Sequence, residues 1–244
     1  MNTTASRYTT LTVICMTLSA LAALLLVIGP IGTREALFHF RIGLLLMSVA
    51  FVLGGIMVIA NAILALLPRQ RPARQGYVLG LAMALIPALA AVNILGASAG
   101  LPMIHDISTD IADPPEFRAA LALRGDDSNP LQRDRELDRQ QQEAYPNIRP
   151  IIVNQPAEQS FEQARAIAAE LGWDVHHKDL QSGLIEATFT SKWFGFVDDV
   201  VIRVRDHVSG GTQIDLRSVS RVGKGDLGAN AARISEFSAR FIEP

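Results

Sequence analysis

The chain has 244 residues, enough for one or two domains, and its formal charge of −2 conceals an uneven distribution. Residues 1–102 contain six Arg, no Lys and the single acid Glu35, a net charge of +5. Residues 103–244 contain 16 basic and 23 acidic residues, a net charge of −7. An acidic C-terminal part lacks the basic surface that binds a phosphate backbone, which excludes nucleic acid as an expected partner. Cys15 is the only cysteine, which excludes an intrachain disulfide and a cysteine-based zinc site.

Three apolar stretches dominate the N-terminal part. Residues 11–31, 42–67 and 77–101 are 21, 26 and 25 residues long and carry no charged side chain. A helix of roughly 20 residues crosses a lipid hydrocarbon core, and it satisfies its own backbone hydrogen bonds there. The first stretch exceeds the apolar region of a signal peptide, and no small-x-small cleavage site follows it. The sequence therefore predicts an anchor of three transmembrane helices over residues 1–102.

The connections between these stretches differ in charge. Residues 68–76 contain three Arg and no acid, whereas residues 32–41 contain two Arg, one Glu and one His. The connection richer in Arg is expected in the cytoplasm. With three crossings, the N-terminus is then cytoplasmic and the C-terminal part lies on the other side. In a bacterium this places the protein in the inner membrane and its C-terminal domain in the periplasm.

Asn61 and Asn93 are the strongly polar side chains within the apolar stretches. They either hydrogen-bond between helices or line a path for a small solute. No ionisable residue accompanies them, which favours the hydrogen-bonding interpretation and disfavours a transporter. Pairs of small residues four positions apart, such as Gly80 and Ala84, predict close helix packing.

The C-terminal part begins with an extended strap and a polar linker, residues 103–147, and continues as a domain over residues 148–244. Residues 133–143 are almost wholly polar, with the alternating charges typical of a solvated helix or a linker. The domain pattern is a strand near Ile148, a helix opened by Ser160, four strands, and a helix from about Asp226 to Phe241. This order predicts an α+β fold: an antiparallel sheet of about five strands with two helices on one face.

Alternation along the predicted strands assigns side chains to the two faces of the sheet. Apolar residues point toward the helices, and the other face receives charged residues of both signs. We interpret this charged face either as a solvated surface with cross-strand ion pairs or as a platform for a polar ligand. Its members are Glu186, Thr188, Thr190, Asp199, Arg203, Arg205, Asp215 and Arg217.

Three separated segments occur in the order found in a known family. They are HDISTDIADPPEF (residues 105–117), WFGFVDDVVIRVR (193–205) and IDLRSVSRVGKGDLGANAARI (214–234). With these segments the chain resembles domain-of-unknown-function family 1499 over about residues 103–242. That family consists of bacterial membrane-attached or exported proteins with relatives in plant plastids, so the resemblance implies such a compartment. It implies no reaction, and residues 125–143 match the family pattern poorly.

The stretch SRVGKGDLGAN offers the clearest local chemistry. Gly223 permits a tight turn, and Asp226 precedes a helix whose free N–H groups favour anions. A phosphate, a carboxylate or a lipid headgroup could bind here beside Arg217 and Arg221. Alternatively, Asp226 itself caps the helix, and Asn230 and Arg233 pair locally. The stretch lacks the Lys-Ser/Thr ending of a nucleotide-binding loop.

The segment that follows the third apolar stretch carries His105, Asp106, Asp110 and Asp113. These side chains suit a hard cation or a His–Asp acid–base pair, but their spacing matches neither a calcium loop nor a zinc signature. The alternative is an extended strap stiffened by two prolines, whose polar side chains bond nearby backbone. A sheet arginine is then expected to clamp the strap through its carboxylates.

These features predict a membrane-anchored protein whose periplasmic domain binds a partner protein or an envelope ligand. The alternative is a membrane-tethered enzyme acting on an anionic envelope substrate. The expected partners are the lipid bilayer and an envelope protein, an anionic lipid or a small molecule. No cofactor or metal is expected, and no catalytic residue is assigned. The candidate ligand-binding residues are Arg203, Asp215, Arg217, Ser220, Arg221, Gly223, Asp226, Asn230, Asp106 and Asp110.

Overall fold

The computed structural model describes residues 9–242, which form two compact units. The first unit contains three helices, each long and apolar enough to cross a membrane, as the sequence predicts. Many of their Leu, Ile and Val side chains are exposed, which suits helices surrounded by lipid. The helices are α1 (Thr10–Arg34), α2 (Phe40–Leu66) and α3 (Arg74–Ser98), with a 3-10 turn at Pro68–Ala73 before α3.

Glycine residues let α2 and α3 approach closely. A Cβ atom added to Gly54 would lie 2.6 Å from Cγ of Pro87, and one added to Gly80 would lie 2.5 Å from Oδ1 of Asn61. Both distances are shorter than van der Waals contact, so only glycine fits at these two positions. Ala84 is fully buried one turn after Gly80. This arrangement agrees with the close packing that the small residues predict.

Asn61 links two helices in the interior of this unit. Its Nδ2 donates to Oγ of Ser19 in α1 at 3.1 Å and to the carbonyl of Met57 at 2.8 Å. Asn61 and Ser19 are both fully buried, and a polar bond between membrane helices contributes roughly 0.6–2 kcal/mol. Asn61 therefore has the inter-helix role that the sequence favours, whereas Asn93 is exposed on α3.

The second unit contains a six-stranded antiparallel sheet. The strands are β1 (Asp106–Ser108), β2 (Ile151–Val153), β3 (Asp174–Asp179), β4 (Leu184–Thr190), β5 (Val197–Asp206) and β6 (Thr212–Ser220). Their order across the sheet is β1-β6-β5-β4-β3, and β2 also pairs with β6. Because β5 runs along the whole of one edge of β6, β1 and β2 lie end to end along the other edge.

Two long helices pack on the apolar face of this sheet. From β2 onward the order is strand, helix, four strands and helix, as predicted. Helix α5 (Ala157–Glu170) begins three residues before Ser160, because Pro156 has the fixed φ and the missing N–H that suit the start of a helix. Helix α6 (Ala229–Ile242) begins three residues after Asp226. The core between these two helices and the sheet contains Ile185, Val200, Ile202, Ile214, Leu216, Phe161, Ile234 and Phe237.

The strap and the linker are folded parts of this unit. Asp106–Ser108 forms strand β1, and helix α4 (Arg135–Ala144) lies beside it. The Gln141 side chain accepts a bond from the backbone N–H of Ser108 at 3.0 Å and donates to its carbonyl at 2.6 Å, as a neighbouring strand would. The sequence predicts only a strap and a linker here, because a three-residue strand is too short to show alternation. Between β1 and α4, residues 109–133 form a covering segment over the charged face of the sheet.

Replacing Gly80 with Ala should destabilise the helical unit, since the new methyl group collides with the Asn61 amide. We expect the free energy of unfolding in detergent to fall by about 1–3 kcal/mol, measured by SDS titration with circular dichroism. Gly96→Ala is the matched control in the same helix, because a Cβ atom there meets nothing within 4 Å. Equal effects of the two substitutions would contradict this account of the packing.

Candidate functional site

Glu186 lies at the centre of the charged face and is fully buried beneath the covering segment. Its Oε1 accepts hydrogen bonds from the backbone N–H groups of Arg118 at 2.8 Å and Ala119 at 2.9 Å, and its Oε2 accepts from Ala120 at 2.8 Å. A buried carboxylate is stable only when hydrogen bonds replace its hydration. Glu186 therefore holds the covering segment on the sheet, and this face is neither a solvated surface nor an open platform.

The predicted residues Asp106 and Arg217 form a buried ion pair on the same face. Nε of Arg217 donates to Oδ1 of Asp106 at 3.0 Å, and its NH2 group donates to Oδ2 at 2.8 Å. Arg133 binds the same carboxylate at 2.8 Å, and Arg217 also donates to the carbonyls of Pro115 and Leu131. Arg217 has only 4% of its surface exposed. These contacts use its donors internally and fasten the covering segment to β6.

A second group of charges lies where the covering segment crosses the other end of β5. The buried Asp215 carboxylate lies 2.9 Å from Arg203 and 3.2 Å from Arg205. Arg205 also pairs with Asp110 at 2.9 Å and with Asp113 at 3.0 Å. The arginine clamp on the strap that the sequence predicts is present, and it is formed by Arg203 and Arg205 as well as Arg217. The three carboxylates outnumber the two arginines, so both guanidinium groups are fully compensated in charge.

Arg221 pairs with Asp199 at the end of β6. Nitrogen NH2 of Arg221 lies 2.7 Å from Oδ1 of Asp199, and Arg124 of the covering segment binds Oδ2 of the same carboxylate. Burial lowers the pKa of the Arg124 guanidinium, and Arg221 repels it, although Asp199 acts in the opposite direction. Asn129 closes this corner, because its Nδ2 donates to the carbonyls of Ser220 and Gly223.

A polar cluster on the opposite, helix-facing side of the sheet contains Ser220 and Asn230. The Asn230 side chain binds Oγ of Ser220 at 2.9 Å and Oγ of Ser218 at 2.6 Å. Arg233 donates to Ser218, and it pairs with the Asp198 carboxylate at 2.7 Å. Burial raises the pKa of the Asp198 carboxyl, although Arg233 opposes this shift. The cluster joins α6 to β5 and β6 with its side chains paired.

Asp226 caps helix α6. Its Oδ1 accepts from the N–H of Gly228 at 2.9 Å, and its Oδ2 accepts from the N–H of Asn230 at 2.8 Å. A carboxylate at this place satisfies the free N–H groups and opposes the positive end of the helix dipole. Asp226 therefore occupies the position where the sequence allows an external anion.

The structure divides the predicted site residues among separate places. Asp106 meets Arg217, Asp110 and Asp215 meet Arg203, and Ser220 meets Asn230 on the other side of the sheet. Arg221 and Asp226 bind different partners, so the ten residues do not converge on one pocket. Sequence reasoning missed Arg124 and Arg133 because they lie on the linker, whereas the local pairing expected for Asn230 and Arg233 is present, with 2.6 Å between the Arg233 guanidinium and Oδ1 of Asn230. The positive charge of Arg124 and Arg133, opposite to that of the acidic residues on the sheet, is the sequence signal that could have indicated these partners.

A groove of about 950 Å³ lies at the open edge of β2, between α5 and the end of α6. Strand β2 pairs only with β6 among the described residues, so its other edge faces this groove. Ile152 is 56% exposed there. Gln163 helps to fix the wall: its Oε1 accepts from Gln155 at 2.9 Å, and its Nε2 donates to the carbonyl of Phe241 at 3.1 Å. The remaining lining includes Asn147, Arg149, Gln159, Glu162, Ser238 and Ile242.

Comparison with known families identifies the second unit. Residues 106–241 match the family model described as "Protein of unknown function (DUF1499)". The chain belongs to this family. The match begins at β1 and ends in α6, so it includes the covering segment with its ion pairs and excludes the three N-terminal helices. The resemblance seen in the three sequence segments is thereby confirmed. No curated protein matches the chain.

Replacing Arg217 with Met should strongly destabilise the second unit, because it leaves part of the buried Asp106 carboxylate unpaired. We expect the free energy of unfolding of the full chain to fall by about 3–5 kcal/mol. Urea titration followed by fluorescence of the buried Trp173, which stacks on Phe237, reports this transition.

Arg205→Met is the matched control for this substitution. Arg205 is half-exposed, and its partner Asp215 keeps Arg203. The control should cost roughly 1 kcal/mol or less. A loss for Arg217→Met no larger than that of the control would show that the buried pair does not hold the covering segment.

Proposed function

We infer that this protein is a membrane-anchored binding module that presents its family domain outside the cytoplasm and captures an extended segment of a partner protein. In a bacterium this places the anchor in the inner membrane and the domain in the periplasm. The groove at the open edge of β2 is the observation that carries the proposal.

The internal pairing of the charged residues favours binding over catalysis. Catalysis on an anionic substrate needs arginines and a base that converge on an accessible point. Arg217 and Arg221 are instead bonded to Asp106 and Asp199, and Asp226 caps a helix. The alternative of a membrane-tethered enzyme that uses these residues therefore has less support than a binding role.

The chemistry of the groove suits a polypeptide in extended conformation. An unpaired strand edge offers backbone donors and acceptors to an added strand, which supplies affinity without a charged ligand. The lining is mainly amide and apolar, with Arg149 and Glu162 as its charged residues, and Glu162 already pairs with Arg165 at 2.8 Å. The exposed Ile152 side chain provides an apolar contact beside this edge. An anionic small molecule has less to bind here than a peptide has.

The orientation is supported by the charge of the connections. Residues 68–76 carry three arginines without an acid, and this connection is expected in the cytoplasm. Three helices then bring the family domain to the opposite side of the membrane.

A reporter fused to the C-terminus tests the orientation. We expect alkaline phosphatase fused there to be active in intact bacterial cells and green fluorescent protein fused there to be dark, because the former matures outside the cytoplasm and the latter inside it. The reverse pattern would contradict the proposed location and leave the groove untouched as a binding site.

Photo-crosslinking from the groove tests the binding partner. A benzoylphenylalanine placed at Ile152 or at Gln159 in the full-length protein should form adducts with one and the same protein in cells. Mass spectrometry of the adducts should map both crosslinks to a single continuous segment of that protein, since an added strand lies along both positions.

Val208 provides the control position, because it is 99% exposed in the turn between β5 and β6 and does not line the groove. Crosslinks from Val208 should not include this protein. Ile152→Asp should abolish the adduct formed from Gln159, whereas Val208→Asp should not. Adducts shared by Ile152 and Val208, or adducts formed only with lipid, would exclude the proposed partner segment.

A further inference from the structure

Three arginines lie in the connection between α2 and α3 without an ionic partner among residues 9–242. Arg69, Arg71 and Arg74 are exposed, and no carboxylate lies within ion-pair distance of them in that part of the chain. The composition explains this, because Glu35 is the only acid in residues 1–102, and it lies 3.9 Å from Arg34 in the other connection. Unneutralised guanidinium groups attract anions strongly.

The backbone that carries these arginines is fixed. The hydroxyl of Tyr77 donates to Oε1 of Gln70 at 3.1 Å, which ties the 3-10 turn to the first turns of α3. Ala73 and Tyr77 are buried in a small apolar cluster with Cys15 and Ala65. Binding of an anion therefore needs little ordering of the backbone, which favours affinity.

Arg71 and Arg74 line a recess of about 580 Å³. Its lining combines two charged residues, Arg71 and Arg74, with Val78 one turn further along α3. Val78 is 52% exposed, and it is followed by the exposed Leu79. A molecule in this recess thus meets both guanidinium groups and exposed aliphatic side chains.

We propose that this recess binds an anionic phospholipid. The guanidinium groups of Arg71 and Arg74 donate hydrogen bonds to the phosphate oxygens. Arginine can donate two parallel N–H bonds to one phosphate, so each contact can be bidentate. An acyl chain lies along Val78 and Leu79. A headgroup with net negative charge is preferred to a zwitterionic one, because Arg71 and Arg74 together exceed the charge of one phosphate and a zwitterion adds a repelled cation. The site requires that the three helices lie in a membrane, and it is independent of the groove and of any partner protein.

Native mass spectrometry of the full chain in detergent tests the proposal with dioleoyl phosphatidylglycerol as the probe. We expect the wild type to retain this lipid and to bind dioleoyl phosphatidylcholine much more weakly. The double variant Arg71→Gln/Arg74→Gln should lose affinity for phosphatidylglycerol roughly thirtyfold. Each arginine near an anionic headgroup contributes a similar amount to the binding free energy, and the variant loses both contributions. The detergent experiment does not depend on which way the protein inserts, so an altered topology cannot imitate the loss.

Two further variants distinguish specific binding in the recess from nonspecific attraction by positive charge. Arg34→Gln/Arg41→Gln removes the same charge from the other connection and should leave the affinity unchanged. Arg71→Lys/Arg74→Lys keeps the charge but removes the bidentate geometry, and it should bind more weakly than the wild type. The proposal is overturned if phosphatidylcholine binds as tightly as phosphatidylglycerol, or if the Arg71→Gln/Arg74→Gln variant binds like the wild type. Displacement of phosphatidylglycerol by millimolar inorganic phosphate would also overturn it, because the recess would then be a site for free phosphate.

Discussion

The buried ion pair between Asp106 and Arg217 joins the first strand of the domain to its last strand, across 111 residues of sequence. A charge removed from water is stable only with its partner and with further hydrogen bonds in place. Arg133 and the carbonyls of Pro115 and Leu131 supply these bonds from the linker. The pair therefore has all its hydrogen bonds only when the covering segment lies on the sheet.

The two faces of the sheet are covered by different kinds of interaction. One face packs on α5 and α6 through aliphatic and aromatic side chains, which gain stability from leaving water. The other face combines a small apolar cluster around Phe117 and Val201 with buried carboxylates. Glu186 and Asp199 bind the covering segment directly, whereas Asp215 is linked to it through Arg203. Among the described residues, the carboxylates of this face are therefore occupied by these bonds. The groove beside β2 is a concave surface with a mainly neutral lining.

The helical unit solves the opposite problem, because lipid offers its helices no hydrophobic reason to associate. Gly54 lets the backbone of α2 approach Pro87, and Gly80 lets the backbone of α3 approach Asn61. Asn61 in turn forms a hydrogen bond with Ser19 in the interior of the unit. Among the described residues of the three helices and their connections, charged side chains lie only at the ends of the helices and in the connections between them, where water and headgroups solvate them. Arg69, Arg71 and Arg74 of the helical unit thus have no ionic partner among residues 9–242, whereas the sheet arginines Arg203, Arg205 and Arg217 of the family domain are paired internally. This contrast directs the two proposed binding activities to different chemistry, an anionic headgroup at one unit and a neutral peptide at the other.

The sequence by itself determined the three apolar helices, the strand and helix order after residue 148, and the apolar face of the sheet, because helix length and alternation are local properties. It also indicated that an arginine of the sheet clamps the strap. Only the tertiary structure decided that Asp106–Ser108 is a strand, that Glu186 is capped by three N–H groups of the covering segment, and that Arg124, Arg133 and Arg233 complete the ion pairs. These contacts join residues far apart in the chain. A short polar segment carries no periodic signal of what it covers, since its partners are fixed by three-dimensional charge complementarity rather than by spacing.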